Sequence, residues 1–248
     1  MNRQEKFIFT SITEVLDEAI VSSYPLGDGI TTYPVSEYMI QSIFLKMTGF
    51  QEQKLRFIAW EMASNDLEYR YRLLKGEDKL GEYSSFDAKN KIFKSLIEAI
   101  KKINPNFTTA KLEKEEIQEY SVEIVKKKFN NTNLATWHQR KYNAMETAEI
   151  SKIIPINQFL QINVNRQQGG LLESVLKKHY KDLYDRRNSL AHNLNSFKPR
   201  FPLFRELVNE GDLDNNYFVW FSILVLIDKI FIELYKVYKE ELDNYFEY

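Results

Sequence analysis

Glycine and proline are scarce in this chain, with only 8 and 6 of them among 248 residues. The hairpins of a many-stranded sheet depend on these two residue types for their turns, so few such turns can form. The sequence between them consists of long runs of good helix formers, with apolar residues recurring at helical spacing. We therefore predict an all-α fold, a bundle of helices.

The apolar spacing, with its start and stop signals, predicts seven helices. They cover approximately residues 4–22, 36–49, 52–75, 85–103, 109–128, 171–192 and 214–245. Gly49 is expected to separate the second helix from the third. The third has these large apolar residues near helical spacing: Phe57, Trp60, Leu67, Tyr71 and Leu74.

The segments between these helices are less regular. Residues 130–150 are predicted to be a loop and a short helix, and residues 151–170 either extended chain or a short buried helix. We find no repeat and no shift in composition that would mark a domain boundary. The chain is therefore predicted to be a single helical domain, with residues 36–248 as the bundle and residues 1–35 as an N-terminal extension.

Cysteine is absent and histidine occurs three times. The absence excludes disulfides and thiolate metal sites, and it fits a reducing cytoplasm. The first residues lack the pattern of a signal peptide. The most apolar run, Tyr217–Ile227, has 11 residues, whereas a membrane-spanning helix needs about 20. We expect a cytoplasmic protein with no membrane partner, no metal site and no cofactor.

Charge is unevenly distributed, although the net charge is only −1. Residues 177–205 contain eight basic residues and two acidic ones, while residues 206–248 contain ten acidic residues and three lysines. A local positive site on a near-neutral protein could attract one phosphate-bearing substrate. Alternatively, the two segments are solvated faces of neighbouring helices that pair with each other.

Arg187-Asn188-Ser189-Leu190-Ala191-His192 is the stretch that most suggests chemistry. On a helix Asn188 and His192 share a face, because they are four residues apart. Arg187 lies about 140° away from His192, on the apolar side marked by Leu183 and Tyr184. A guanidinium there is costly unless it has a partner or lines a polar cleft.

This stretch resembles the R-x4-6-H motif of HEPN domains, a superfamily of helical bundles that includes many metal-independent ribonucleases. The resemblance implies Arg187, His192 and Asn188 as catalytic residues, RNA as substrate, and a role as a toxin or in defence against phage. It also implies a homodimer and a possible antitoxin or inhibitor protein. In related toxins a tyrosine often follows the histidine by two positions, whereas this chain has Leu194 there.

The chemistry of RNA cleavage fits such a dimer. Attack by the 2′-hydroxyl needs a base, an acid for the leaving 5′-oxygen, and positive charge on the transition state. One histidine cannot serve both proton-transfer roles at once, but two copies of the motif around a two-fold axis can. The basic residues expected to bind the substrate are Arg186, Lys181, Lys198 and Arg200.

Other interpretations remain open. The motif could be an ordinary helix end, with basic residues near the last carbonyls and Asn193 in the left-handed turn. The chain could also be a HEPN-like module without catalytic activity that dimerises or binds a nucleotide or partner. Of the other histidines, His179 is expected to lie on the surface or in packing. His138, next to Trp137, is expected to pack locally or to contact a stacked base.

Overall fold

The computed structural model describes residues 2–27, 30–75, 83–161, 170–192, 213 and 215–246. The α-helices are α1 Arg3–Phe9, α2 Thr13–Ser23, α3 Tyr33–Asn65, α4 Leu67–Lys75, α5 Phe86–Ile103, α6 Lys114–Phe129, α7 Asn133–Trp137, α8 Gln139–Thr147, α9 Ile150–Ile153, α10 Ser174–His192 and α11 Tyr217–Phe246. Across these described ranges the extended pairing is limited to one isolated bridge, between Phe159 and Leu172. The predicted all-α class is confirmed.

The last helix, α11, lies at the centre of the bundle and contacts α3, α5, α6 and α10. Phe218, Phe221, Leu224 and Ile227 are fully buried in it, as their apolar run predicts. Asn216 begins the helix, because its side-chain oxygen accepts a hydrogen bond from the backbone N–H of Phe218 at 2.9 Å. The helix that carries the motif, α10, also packs against this last helix.

The predicted break at Gly49 is wrong, since α3 runs through it without interruption. A glycine inside a helix costs only about 1 kcal/mol relative to alanine, and the buried residues on either side, such as Met47 and Leu55, outweigh that cost. The chain breaks instead at Asp66, whose backbone is extended. Its carboxylate accepts a hydrogen bond from the backbone N–H of Tyr69 at 3.0 Å and so caps α4.

Large apolar residues of α3 and α4 lie on the outer surface of the bundle. Trp60 is 49% exposed and Leu67 is 75% exposed, and Tyr71 and Leu74 are exposed as well. The core faces of the two helices consist of Leu55, Ile58, Ala59, Met62, Tyr69 and Leu73. The spacing that indicated a helix therefore falls largely on its solvent side.

Residues predicted as one N-terminal helix form two, α1 and α2, with a break at residues 10–12. Two buried charged side chains satisfy the backbone at this break. Lys54 Nζ donates to the carbonyl of Thr10 at 2.6 Å, and Asp228 accepts from the backbone N–H of Ile12 at 3.0 Å. Because Ile8, Ile12 and Leu16 are also fully buried, these two helices are part of the core.

The remaining boundaries differ by only a few residues from the predicted ones. Helix α5 begins where expected, with the Ser85 hydroxyl accepting from the N–H of Ala88. Helix α6 begins at Lys114 and not at the predicted residue 109. The residues predicted as its start form a short 3-10 helix, Thr109–Lys111. The ambiguous segment forms α9 and the 3-10 helix Ile156–Gln158 before residues 162–169, which lie outside the described part of the chain.

Candidate functional site

Arg187 lies in the last turns of α10, where that helix packs against α3. Its Nη1 donates to the side-chain oxygen of the neighbouring Asn188 at 2.9 Å. Its Nη2 lies 3.6 Å from Oε2 of Glu52 on α3. The guanidinium thus has the partner that its position on the apolar side of the helix requires, and its side chain is only 20% exposed.

Glu52 is shared between two arginines. Arg56, four residues further along α3, donates to Oε1 of Glu52 at 2.7 Å, which is a direct charge-assisted hydrogen bond. The 3.6 Å separation from Arg187 is too long for a hydrogen bond, so that contact is mainly Coulombic. One carboxylate therefore faces two guanidinium groups beside the motif.

Lys89 of α5 is close enough to Glu52 and Arg187 to be affected by their charges, and it is almost completely buried, with 1% of its surface exposed. Burial lowers the pKa of its amine to about 7; Glu52 and Asp228 oppose that shift, and Arg187 adds to it. The amine lies 5.8 Å from the ring centroid of Tyr180 on α10. Buried charged groups thus continue from the motif into the core.

Tyr180 fixes the motif helix to the start of α5. It is 1% exposed, and its hydroxyl donates to the carbonyl of Ser84 at 2.7 Å. Its ring also lies against Phe86, with 6.1 Å between centroids. This contact, seven residues before Arg187, holds α10 in a defined position relative to α5.

Arg186 points to a different neighbour, the first residue of α11. Its Nε donates to the Tyr217 hydroxyl at 3.1 Å, and its guanidinium carbon lies 5.9 Å from the centroid of that ring. Lys141 of α8 approaches the same ring, with 5.7 Å from its Nζ to the centroid. Burial raises the pKa of the Tyr217 phenol to about 12, so the hydroxyl keeps its proton.

The structure describes only part of the predicted site. It brings Arg187 and Asn188 into contact and places Arg186 beside them, while Lys181 is exposed on α10. The backbone of His192 forms the last residue of α10. Its side chain, together with Lys198 and Arg200, lies outside the described residues, so the distance between Arg187 and His192 stays a prediction.

His138 is buried at the junction of α7 and α8. Its Nδ1 lies 3.8 Å from Glu37, and burial lowers the pKa of the imidazole. The ring centroid is 6.3 Å from that of Tyr33. With only 6% of its side chain exposed, this histidine fits the local packing interpretation better than contact with a stacked base.

The motif did not reveal Glu52, Arg56 and Lys89, which all come from distant parts of the chain. Lys89 did carry a signal, because it occupies the same helical stripe as the buried Ile92 and Phe93. A lysine at a core position indicates a buried partner. In the described part of the chain no three His, Asp or Glu side chains are grouped so that they could hold a metal ion.

Comparison of the chain with protein-family models, with curated proteins and with solved structures found no match in any of the three. Among the described helices, none combines the length and the apolar character that crossing a bilayer requires.

Proposed function

We propose that this protein is a metal-independent endoribonuclease of the HEPN type, acting in the cytoplasm as a toxin or in defence against phage. One observation carries the proposal. Arg187 is partly buried in the last turns of α10, five residues before His192, and is held by Asn188 and by a carboxylate that it shares with Arg56. A cation fixed in this way is preorganised to bind a phosphate.

In the proposed reaction the 2′-oxygen of the RNA attacks the adjacent phosphorus and the bond to the 5′-oxygen breaks. The products carry a 2′,3′-cyclic phosphate and a 5′-hydroxyl. Arg187 stabilises the negative charge that develops on the phosphoryl oxygens. His192 takes the proton of the 2′-hydroxyl or protonates the leaving 5′-oxygen.

A two-fold homodimer supplies both proton-transfer roles, because each copy contributes one His192. The motif helices would then lie beside the axis, in an interface that buries more than about 1,000 Å² in total. Sedimentation or light scattering at micromolar concentration measures the oligomeric state directly. A protein that stays monomeric would contradict the composite site.

RNA cleavage in the presence of EDTA tests the activity. We expect cleavage of single-stranded RNA, no cleavage of DNA, and cyclic phosphate ends on the products. His192→Ala should lower the rate by about 10²–10⁴-fold, and Arg187→Ala by about 10²–10³-fold. Lys178→Ala, an exposed change on the same helix, is the matched control and should have no effect. Undiminished cleavage by His192→Ala would contradict the proposal.

The second candidate is a HEPN-like module without catalytic activity that dimerises or binds a nucleotide or an inhibitor-type partner protein. The contact between Arg187 and Glu52 favours it, since an ion pair partly neutralises the arginine and gives it a structural role. This candidate predicts that the purified protein binds RNA or a nucleotide without cleaving it. It also predicts that Arg187→Ala lowers the free energy of unfolding.

A further inference from the structure

An open cavity of about 390 Å³ lies between α1, α3 and Tyr83, which is two residues before Ser85, the cap of α5. The described residues that line it are Gln4, Arg56, Phe57, Trp60 and Tyr83. Three of these residues are aromatic, one is cationic and one is a neutral amide. Small-molecule sites in proteins have volumes of about 300–1,000 Å³, so the cavity has room for a ligand of the size of a nucleoside.

The aromatic walls differ in their exposure. Trp60 is 49% exposed, although it is among the largest apolar side chains of α3, whereas Tyr83 is buried. Phe57 is held in place by Phe7 of α1, with 5.4 Å between ring centroids and an edge-to-face arrangement. The indole of Trp60 is therefore accessible from solvent beside two rings that packing keeps in position.

Arg56 connects this cavity to the motif. It donates to one oxygen of Glu52 at 2.7 Å, and the other oxygen of the same carboxylate lies 3.6 Å from Arg187. The cavity arginine and the motif arginine are thus separated by a single carboxylate. Glu52 and Trp60 are eight residues apart on α3, which is about 12 Å along the helix axis. A few nucleotides of a single strand with a phosphate at Arg187 can span this distance.

We propose that this cavity is a nucleobase subsite for single-stranded RNA, in which the base stacks on Trp60 and Gln4 contacts its edge. The proposal rests on the RNA-directed function described above. Unpaired bases are recognised by stacking on aromatic side chains and on arginine, and a glutamine amide offers both a donor and an acceptor. Among the described residues of the lining Arg56 is a cation, which suits a polyanionic strand.

The inference can be tested by binding alone, with the full chain and a fluorescent decamer of 2′-O-methyluridine, which has no free 2′-hydroxyl and cannot be cleaved by this route. Stacking contributes about 1–3 kcal/mol per base, so Trp60→Ala should weaken binding by about 5–150-fold. Trp60→Phe should restore most of the affinity. Tyr71→Ala is the matched control, because Tyr71 is 57% exposed on α4 and does not line the cavity.

A decamer of abasic 2′-O-methylribose phosphate supplies the second comparison. It should bind the unaltered protein as weakly as the uridine decamer binds Trp60→Ala, and it should not respond to that substitution. Equal affinity of Trp60→Ala and the unaltered protein for the uridine decamer would overturn the inference. A complete lack of binding by the unaltered protein would overturn it as well.

The two proposals can fail separately. RNA cleavage that depends on Arg187 and His192 but is unaffected by Trp60→Ala would leave the nuclease and remove the subsite. Binding of the decamer that depends on Trp60, without any RNA cleavage, would leave the subsite and remove the nuclease. If both hold, Trp60→Ala should raise KM for a short RNA and change kcat little.

Discussion

Lys54 and Asp228 form an ion pair of 2.6 Å, with 1% and 2% of their side chains exposed. The two side chains also form hydrogen bonds with the carbonyl of residue 10 and the N–H of residue 12. They thereby satisfy backbone groups at the break between α1 and α2. Burial opposes both charges: it raises the pKa of Asp228 and lowers that of Lys54. The pair is therefore a costly arrangement that joins three distant segments of the chain.

Removal of one member of this pair should be strongly destabilising. Asp228→Asn leaves the Lys54 amine buried without a counter-charge, and we expect a loss of about 3–5 kcal/mol in the free energy of unfolding. The double variant Lys54→Met, Asp228→Leu should lose less, since no charge stays buried. Urea unfolding at pH 7 measures both. A double variant less stable than Asp228→Asn would show that the backbone contacts matter more than the charges.

The stability of the protein should depend on pH through Lys89. Its folded-state pKa of about 7 lies below its ordinary value of 10.5, so between these values the unfolded chain binds a proton that the folded chain does not. Stability therefore rises with pH in this window, by about 2 kcal/mol from pH 7 to pH 9. Lys89→Met should be more stable at pH 7 and should lack this increase. Parallel pH profiles for the two proteins in urea unfolding would contradict the prediction.

Gly49→Ala should stabilise α3. The position is helical and exposed, and outside its chain neighbours and the helix's own backbone a Cβ there would meet no atom within 4 Å. The gain should be about 0.5–1 kcal/mol, the difference in helix propensity. Gly170→Ala is the control and should not gain stability in this way. Its Cβ would lie 3.3 Å from both the Glu173 carboxylate and the Leu172 carbonyl. Thermal unfolding of both variants tests this, and a destabilised Gly49→Ala protein would speak against it.

Glu52→Gln should change RNA binding and RNA cleavage in opposite directions. The loss of one negative charge between Arg56 and Arg187 strengthens phosphate attraction, so affinity for RNA should rise and become more dependent on salt. Arg187 loses its ionic contact, and displacement of a catalytic group can lower the rate by up to about 10²-fold. Single-turnover cleavage and anisotropy titrations separate the two effects. Unchanged affinity and unchanged rate together would show that Glu52 does not act on Arg187.

The helices with regular apolar spacing were predictable from sequence, and α5, α10 and α11 begin and end close to their predicted limits. The break between α3 and α4 was not, because a glycine is a weak signal and the true break depends on the capping by Asp66. The need of Arg187 for a partner followed from its place on the helix. The identity of that partner did not, since it depends on which face of α3 packs against α10.

The central position of α11 has a consequence for synthesis of the protein on the ribosome. Chains are made from the N-terminus, and domains generally fold as units while they emerge. Here the helix that fills the core follows all the other described helices in the chain, and Ile12 contacts a residue 216 positions further along. The earlier helices cannot complete their packing until this helix, Tyr217–Phe246, has been translated, so a shorter nascent chain lacks the finished site.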